Sequence, residues 1–390
     1  LRSPEGEQVN LEIFKGQVIV VNLWATWCPP CVAEMPSFQK LYNAYGDKVV
    51  FLFRDKADIN LIFILVLSVI LHFHHWITPP IVIANESDGL LAYLLIHYIR
   101  PLPSIGLVLI FQLLIVSQAI RLNAMLSQFK MFQNISYLPA FTYIILTALF
   151  PFWDEISAGL IANSLVIWIL VKILRLYDQT QPKTLEFNIG LIVGASILLY
   201  EPIAILIPVV LFALAIIRPF RLPEWLVLLM GIILPFYFVF AFVFLTNQAP
   251  YFIQFLPRLD WKNPLVKPEL KIILALGTMG VQLLAGFYFW QQQQSRFIIQ
   301  VRKYWGVLFL TLLVCFFQPI VFSSQALYAS VIILTPLACF ISFAYATPKR
   351  LLIPNLLFWS ALLVIVYIHL AYVANLPQIS GHNLLTLSFQ

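Results

Sequence analysis

From Leu61 onward the chain returns repeatedly to uninterrupted apolar runs, beginning with "LIFILVLSVILHF", each about 17–25 residues long. That length matches the hydrocarbon thickness of a bilayer. Only segments that close their own backbone hydrogen bonds persist there, so the runs read as transmembrane helices. A soluble core has no room for them. Hydrophobic residues make up 61% of the chain and charged ones 10%, against about 45–50% and about 25% in soluble domains. The formal charge of +6 does not indicate nucleic acid, because the basic residues sit in small groups between apolar runs and form no basic face. They act as topology signals.

The fold expected is an all-α polytopic membrane domain, residues 54–390, with about eleven transmembrane helices. The spans are placed at 59–77, 104–120, 135–150, 158–176, 187–200, 203–217, 224–245, 270–290, 305–321, 326–346 and 351–374, with Leu90 to Ile99 as a shorter helix lying at the surface or re-entering. Loops carrying Arg54 and Lys56, Arg121 and Lys130, Lys172, Arg175 and Lys183, Arg218 and Arg221, Arg296, Arg302 and Lys303, and Lys349 and Arg350 are basic and should face the cytoplasm. The alternate loops are poor in Lys and Arg: the one with Glu86 and Asp88, "PFWDEIS" from Pro151, the Glu201-Pro202 break, and "SSQ" from Ser323. The longer loop Asn247 to Glu269, with Arg258, Lys262 and Lys267, is the exception. The expected setting is the inner membrane of a bacterium, with the Arg54 end cytoplasmic and the C-terminus external.

Residues 1–53 follow a different pattern. A turn at Lys15-Gly16 leads into the β-rich run Val18 to Leu23, "CVAEMPSFQKLYNAY" has helical spacing, and "KVVFLF" is a second buried-strand pattern. The β-α-β unit this predicts places Cys28 of "WCPPC" at a helix N-terminus, where unpaired N–H groups and the helix dipole favour a thiolate, with Cys31 as the resolving thiol. With Glu34 and Pro36 of "CVAEMP", residues 16–53 resemble the N-terminal half of a thioredoxin-like domain of the periplasmic thiol-disulfide oxidoreductase type. The resemblance stops before the second helix and the cis-proline loop that such a domain uses to hold a substrate disulfide. About 50 residues bury too little surface to stand alone. The sequence starts at Leu1 within the domain, and the basic loops put this piece on the reducing side of the membrane. The expectation is a truncated, chimeric fragment whose Cys28 and Cys31 do not turn over at thioredoxin-like rates.

The membrane part carries a second resemblance. "QAIRLNAMLSQFKMFQNISYLPAFTYIILTALFPFW" and "FNIGLIVGASILLYEPIAILIPVVLFALAIIRPFRLPEWLVLLMGIILPFYFVF" look like a bacterial family of multi-spanning inner-membrane proteins, over about residues 53–390. More distantly the same stretch is similar to multi-spanning lipid-dependent glycosyltransferases. In that class a Gly-rich span turns tightly outside the membrane, and the first external loop carries an acidic residue. The resemblance implies a polyprenyl-phosphate-linked sugar and membrane lipid as partners. Sugar transfer from such a donor needs a carboxylate to take the acceptor hydroxyl's proton and a cation to steady the leaving phosphate. Glu86, Asp88 and Glu201 are the candidate carboxylates; Arg100 and Arg258 are the candidate phosphate contacts. The structural alternative makes Asp88 a helix cap before Gly89 and lets Glu201 reach the interface beside Pro202.

"HFHHW", His72 to Trp76, has ligand-type residues at the end of a span beside an interfacial Trp. With no second histidine cluster following, it reads as interfacial, and no metal or cofactor is assigned. Cys315 and Cys339 lie in separate apolar runs and read as packing residues. No Walker motif, GxSxG elbow or HExxH is present. Three readings follow: an integral membrane protein acting as a lipid-linked glycosyltransferase in envelope biogenesis, a non-enzymatic membrane scaffold or transporter-like component, and a membrane-anchored thiol-disulfide oxidoreductase.

Overall fold

The computed structural model describes residues 14–24, 29–46, 49–55, 57–84, 89–132, 136–247, 252, 256–257, 269–322, 326–348 and 350–374. The chain divides into two compact units, Leu1–Leu67 with Phe132–Tyr137, and Ser68–Met131 with Leu138–Gln390.

In the first unit, Gly16 takes φ +88° in the turn closed by the Gln17 N–H on the Phe14 carbonyl, a conformation that a side chain would strain. Strand β1 (Val18–Trp24) follows, then helix α1 (Pro29–Tyr45) and strand β2 (Val49–Asp55). The strands pair in parallel, Val18 opposite Val49 through Trp24 opposite Asp55, so α1 is the crossover of a β-α-β unit, as the patterning predicted. Helix α2 (Ala57–Leu71) leads on toward the second unit.

The second unit is helical. Its elements are α3 (Leu90–Leu94), continued by a π turn over Leu95–Ile99, then α4 (Ser104–Gln128), α5 (Leu138–Leu149), α6 (Ala158–Leu174), α7 (Lys183–Leu199), α8 (Leu206–Ile217), α9 (Leu222–Leu245), α10 (Leu270–Gln294), α11 (Ile299–Phe316), α12 (Gln318–Val321), α13 (Ala326–Ala329), α14 (Leu334–Ala346) and α15 (Leu352–Ala374). Two short strands, β3 (Val82–Ile83) and β4 (Ile156–Ser157), pair in parallel.

Among the described residues seven helices are long and apolar enough to cross a membrane, within 104–128, 158–177, 222–245, 270–294, 299–321, 327–346 and 352–370. They leave large apolar side chains exposed, among them Leu245, Leu284, Leu363 and Met230, as suits a surface in contact with lipid. The other four expected spans fall on α2, α5, α7 and α8, which are 15, 12, 17 and 12 residues long. At 1.5 Å per residue these cover about 18–26 Å, short of a hydrocarbon core of about 30 Å.

Two features hold the bundle in register. Gly190 and Gly194 of α7 lie against α9 so closely that a Cβ would meet the carbonyl oxygens of Leu228 and Ile232, while Gly231 of α9 lies as close to Phe187. This is a small-xxx-small helix contact. The second is a buried polar chain. Gln118 donates to the Leu160 carbonyl and to Ser164 (2.7 Å each), Tyr143 donates to Gln118 (2.5 Å), Asn163 to Tyr143 (2.7 Å), and Thr335 to Asn163 (2.9 Å). It joins α4, α5, α6 and α14 with every member paired, which in an apolar surround favours one packing over others. Cys315 and Cys339 are free and buried, as packing residues should be.

Candidate functional site

One end of the second unit collects the loops that the charge pattern groups together as external. β3, just after the histidine segment, pairs with β4, just after "FWDE". The Trp153 indole donates to Ser330 (2.9 Å). Gly89, at φ +94°, lies against the backbone of Leu198 and Leu199, and a Cβ on Gly159 would come 3.2 Å from the Tyr200 hydroxyl.

At this end lies a cluster that the sequence reading did not assemble. α2 ends at Leu71, and the chain tightens into a 3-10 turn over Phe73–Trp76 in which His75 N–H donates to the His72 carbonyl. The turn sends Phe73 and Trp76 outward (59% and 50% exposed) and buries His72 and His75 (0% and 2%). A second 3-10 turn, Pro151–Trp153, delivers Asp154, 5% exposed, and α15 brings His369 from the other end of the chain. The Nε2 atoms of His74 and His75 lie 3.0 Å from opposite oxygens of Asp154; His369 Nε2 is at 3.3 Å and His72 Nε2 at 3.5 Å. The His74 ring stacks at a tilt on both His75 and His369, with centroids 4.0 and 3.9 Å apart. Phe111, fully buried, meets the His72 and His75 rings edge-on.

Electrostatics follow from the geometry. Burial alone would raise the Asp154 carboxyl, but the imidazoles of His75, His72, His369 and His74 hold it well below the usual carboxylate range. Burial lowers His72 to about 4 and lowers His74 as well, whereas at His75 the Asp154 charge overcomes burial and raises the imidazole. Glu155 is pushed up to about 8 by burial and by Asp154 next to it, and its carboxylate accepts the Ile81 N–H. A cavity of about 50 Å³ opens among His74, His75, Asp154, Glu155 and His369. Imidazole and carboxylate ligand atoms of His74, His75 and Asp154 all lie within 4.8 Å of one another.

The interfacial position expected for "HFHHW" is therefore corrected: Trp76 is exposed, but His72 and His75 turn inward because Asp154 gives their rings a buried charge partner. Of the residues singled out from the sequence, Glu201 opens the 3-10 turn Glu201–Ile205 and is half-buried, two residues after the Leu199 backbone that Gly89 meets. Arg100 is exposed at the far end of the α3 and π-turn segment, about 15 Å along its axis from Gly89. Cys31 is the third residue of α1. Glu86, Asp88, Arg258 and Cys28 lie outside the described residues.

Residues 2–58 match the Redoxin family model. The chain is 45% identical over 49 residues to the thioredoxin-like protein YneN of Bacillus subtilis, which is 13% of this chain and 29% of that protein. It is 41% identical over 58 residues to the thiol-disulfide oxidoreductase ResA of Bacillus cereus, 14% of this chain and 34% of that one. ResA of Halalkalibacterium halodurans is 38% identical over 58 residues, at 15% and 33%. The chain thus spans about a third of these relatives. No solved structure matches it. The thioredoxin-like character of the first unit and the membrane-length helices of the second are both properties of this one chain.

Proposed function

We propose that the membrane part carries the activity, as a transferase acting on a polyprenyl-phosphate-linked sugar at the end of the bundle where the acidic loops gather. The observation that carries this reading is the backbone approach of Gly89 to Leu198 and Leu199. It sets the segment that opens at Gly89 against the one that leads into Glu201, so Glu201 follows directly on a contact between segments far apart in sequence. In this reading a carboxylate takes the proton of an acceptor hydroxyl as its oxygen attacks the sugar, and a guanidinium, for which Arg100 and Arg258 are the candidates, offsets the charge on the departing phosphate. A second reading, a membrane-tethered thiol-disulfide oxidoreductase using Cys28 and Cys31, is favoured by the Redoxin match and by the parallel strand pair that flanks α1.

One preparation tests both. The full chain in lipid nanodiscs, given a polyprenyl-phosphate-linked sugar and a hydroxyl-bearing acceptor glycolipid, should release polyprenyl phosphate, and Glu201→Gln and Asp88→Asn should each lower the rate at least about a hundredfold, the scale of a lost acid or base. Release by Glu201→Gln and Asp88→Asn at the wild-type rate overturns the transferase reading. Insulin reduction by the same preparation, lost in Cys28→Ser, would put the oxidoreductase reading in its place.

A further inference from the structure

We propose that His74, His75 and Asp154 form a binding site for one divalent transition-metal ion of the zinc type, with His369 placed to supply a further imidazole. Four of the six histidines in the chain converge on one buried carboxylate. They come from a 3-10 turn after α2 and from α15, nearly three hundred residues apart, while the carboxylate comes from the α5–α6 connection.

The spacing suits an ion. A tetrahedral zinc with bonds of about 2.0–2.1 Å sets its ligand atoms about 3.3 Å apart. Here His74 and His369 Nε2 lie 3.0 and 3.3 Å from one oxygen of Asp154 and His75 Nε2 lies 3.0 Å from the other, and the ligand atoms of His74, His75 and Asp154 all fall within 4.8 Å of one another. Hydrogen bonding alone would also give such lengths, but the surroundings of the rings are those of ligands. His75 turns its Nδ1 toward the Thr78 carbonyl oxygen at 3.4 Å, and behind it His72 Nδ1 meets the Ser68 carbonyl at 2.9 Å. A carbonyl can only accept, so a proton sits on Nδ1, and Nε2, which faces Asp154, is the nitrogen left to bind an ion once it gives up its own proton. This is the outer-shell arrangement that orients metal-binding imidazoles. The cavity of about 50 Å³ among the same side chains has room for an ion and a water. Glu155 lines it too, its carboxylate fixed by the Ile81 N–H. Imidazole with a single carboxylate selects zinc, iron(II) or a neighbouring metal over magnesium or calcium, which prefer all-oxygen sites.

The cluster shares no residue with the candidate transferase or redox residues, and it stands whether or not the transferase reading does. To test it, the full chain is purified through a histidine-free tag in a Cys28→Ser, Cys31→Ser background, so that the two thiols contribute nothing. After chelation it is titrated with Zn²⁺ and with Co²⁺. One equivalent per chain is expected, with visible Co²⁺ absorption of nitrogen and oxygen ligation, a rise in thermal stability on Zn²⁺ addition, and no competition from excess Mg²⁺. His74→Ala and Asp154→Asn should weaken binding by more than about tenfold, since even outer-shell losses cost that much. His97→Ala, an exposed histidine away from the cluster, should leave it unchanged. Absence of stoichiometric Zn²⁺ and Co²⁺ binding by the chain with an intact cluster overturns the proposal without reference to how the variants fold. So does full-strength binding by a folded His74→Ala chain.

Discussion

Asp154 is the carboxylate that four imidazoles face, and it is 5% exposed. Removing it leaves buried imidazole N–H groups without an acceptor, at a cost of about 1–3 kcal/mol for each group left unsatisfied. Asp154→Ala should therefore lower the thermal midpoint of the metal-free chain markedly, whereas Glu269→Ala, which removes a solvent-exposed carboxylate paired with Lys271, should shift it little. Equal midpoints for the two variants, measured by a tryptophan or thiol-dye melt in detergent, would show that the cluster is not a structural keystone. The components of this cluster were legible in the sequence as "HFHHW" and "FWDE", but their meeting was not. His75 and Asp154 are 79 residues apart, and nothing in local spacing says that two loop ends will touch. His369 sits alone in an apolar run, so it reads as an isolated polar residue until the fold brings α15 alongside.

At the scale of elements, periodicity and turn chemistry located the β-α-β unit closely, because strand alternation, a glycine with positive φ and a helical apolar pattern are all local signals. Helix existence in the membrane part was equally legible, including the short segment at Leu90–Ile99, which forms α3 and its π turn. Helix length was less so. Hydropathy spreads an apolar run across loop residues, so 59–77 reads as one span where the structure ends α2 at Leu71 and spends the rest on the histidine turn. The role of "GLIVGAS" emerges only with α9 in place. Gly190 and Gly194 are spaced for one face of α7, and that face is filled by the α9 backbone. Gly194→Leu should push the two helices apart, since the Ile232 carbonyl oxygen occupies the position of a Cβ and backbone cannot rotate away as a side chain can. A destabilisation of about 1–3 kcal/mol or more is expected from such overpacking. A Gly277→Leu variant serves as the comparison, because a Cβ there meets nothing within 4 Å. Equal melting behaviour of the two would show that the α7–α9 contact is loose.

Across the Ser68–Gln390 unit, the loops separate into two groups according to charge. At one end, Gly89 lies against Leu199, β3 pairs with β4, Trp153 bonds Ser330, and His369 meets Asp154. At the other, the Lys303 ammonium donates to the Ile217 carbonyl and lies 5.5 Å from the Tyr177 ring centre, Arg218 donates to the Leu176 and Gln179 carbonyls, and the Trp305 indole donates to the Met131 carbonyl. Lys130 and Arg175 line a cavity of about 400 Å³ there. Among the described residues, the groups named at each end belong to the two sets that the placement of Lys and Arg distinguishes in the sequence. Even the short helices α5, α7 and α8 connect one group of loops to the other, so local bilayer thinning or burial against longer neighbours has to compensate for their length. If each of them crosses, the count from α2 to α15 is odd and the two ends of the membrane domain face opposite sides. Fusions of a periplasm-active phosphatase after Glu155, after Glu201 and at the C-terminus should then be active, and those after Gln179, Arg221 and Arg296 inactive, with a cytoplasm-active fluorescent reporter giving the complement. Phosphatase activity at both Glu155 and Arg296 would mean that an odd number of the intervening helices fails to cross, and the fusions at Gln179, Glu201 and Arg221 would identify which.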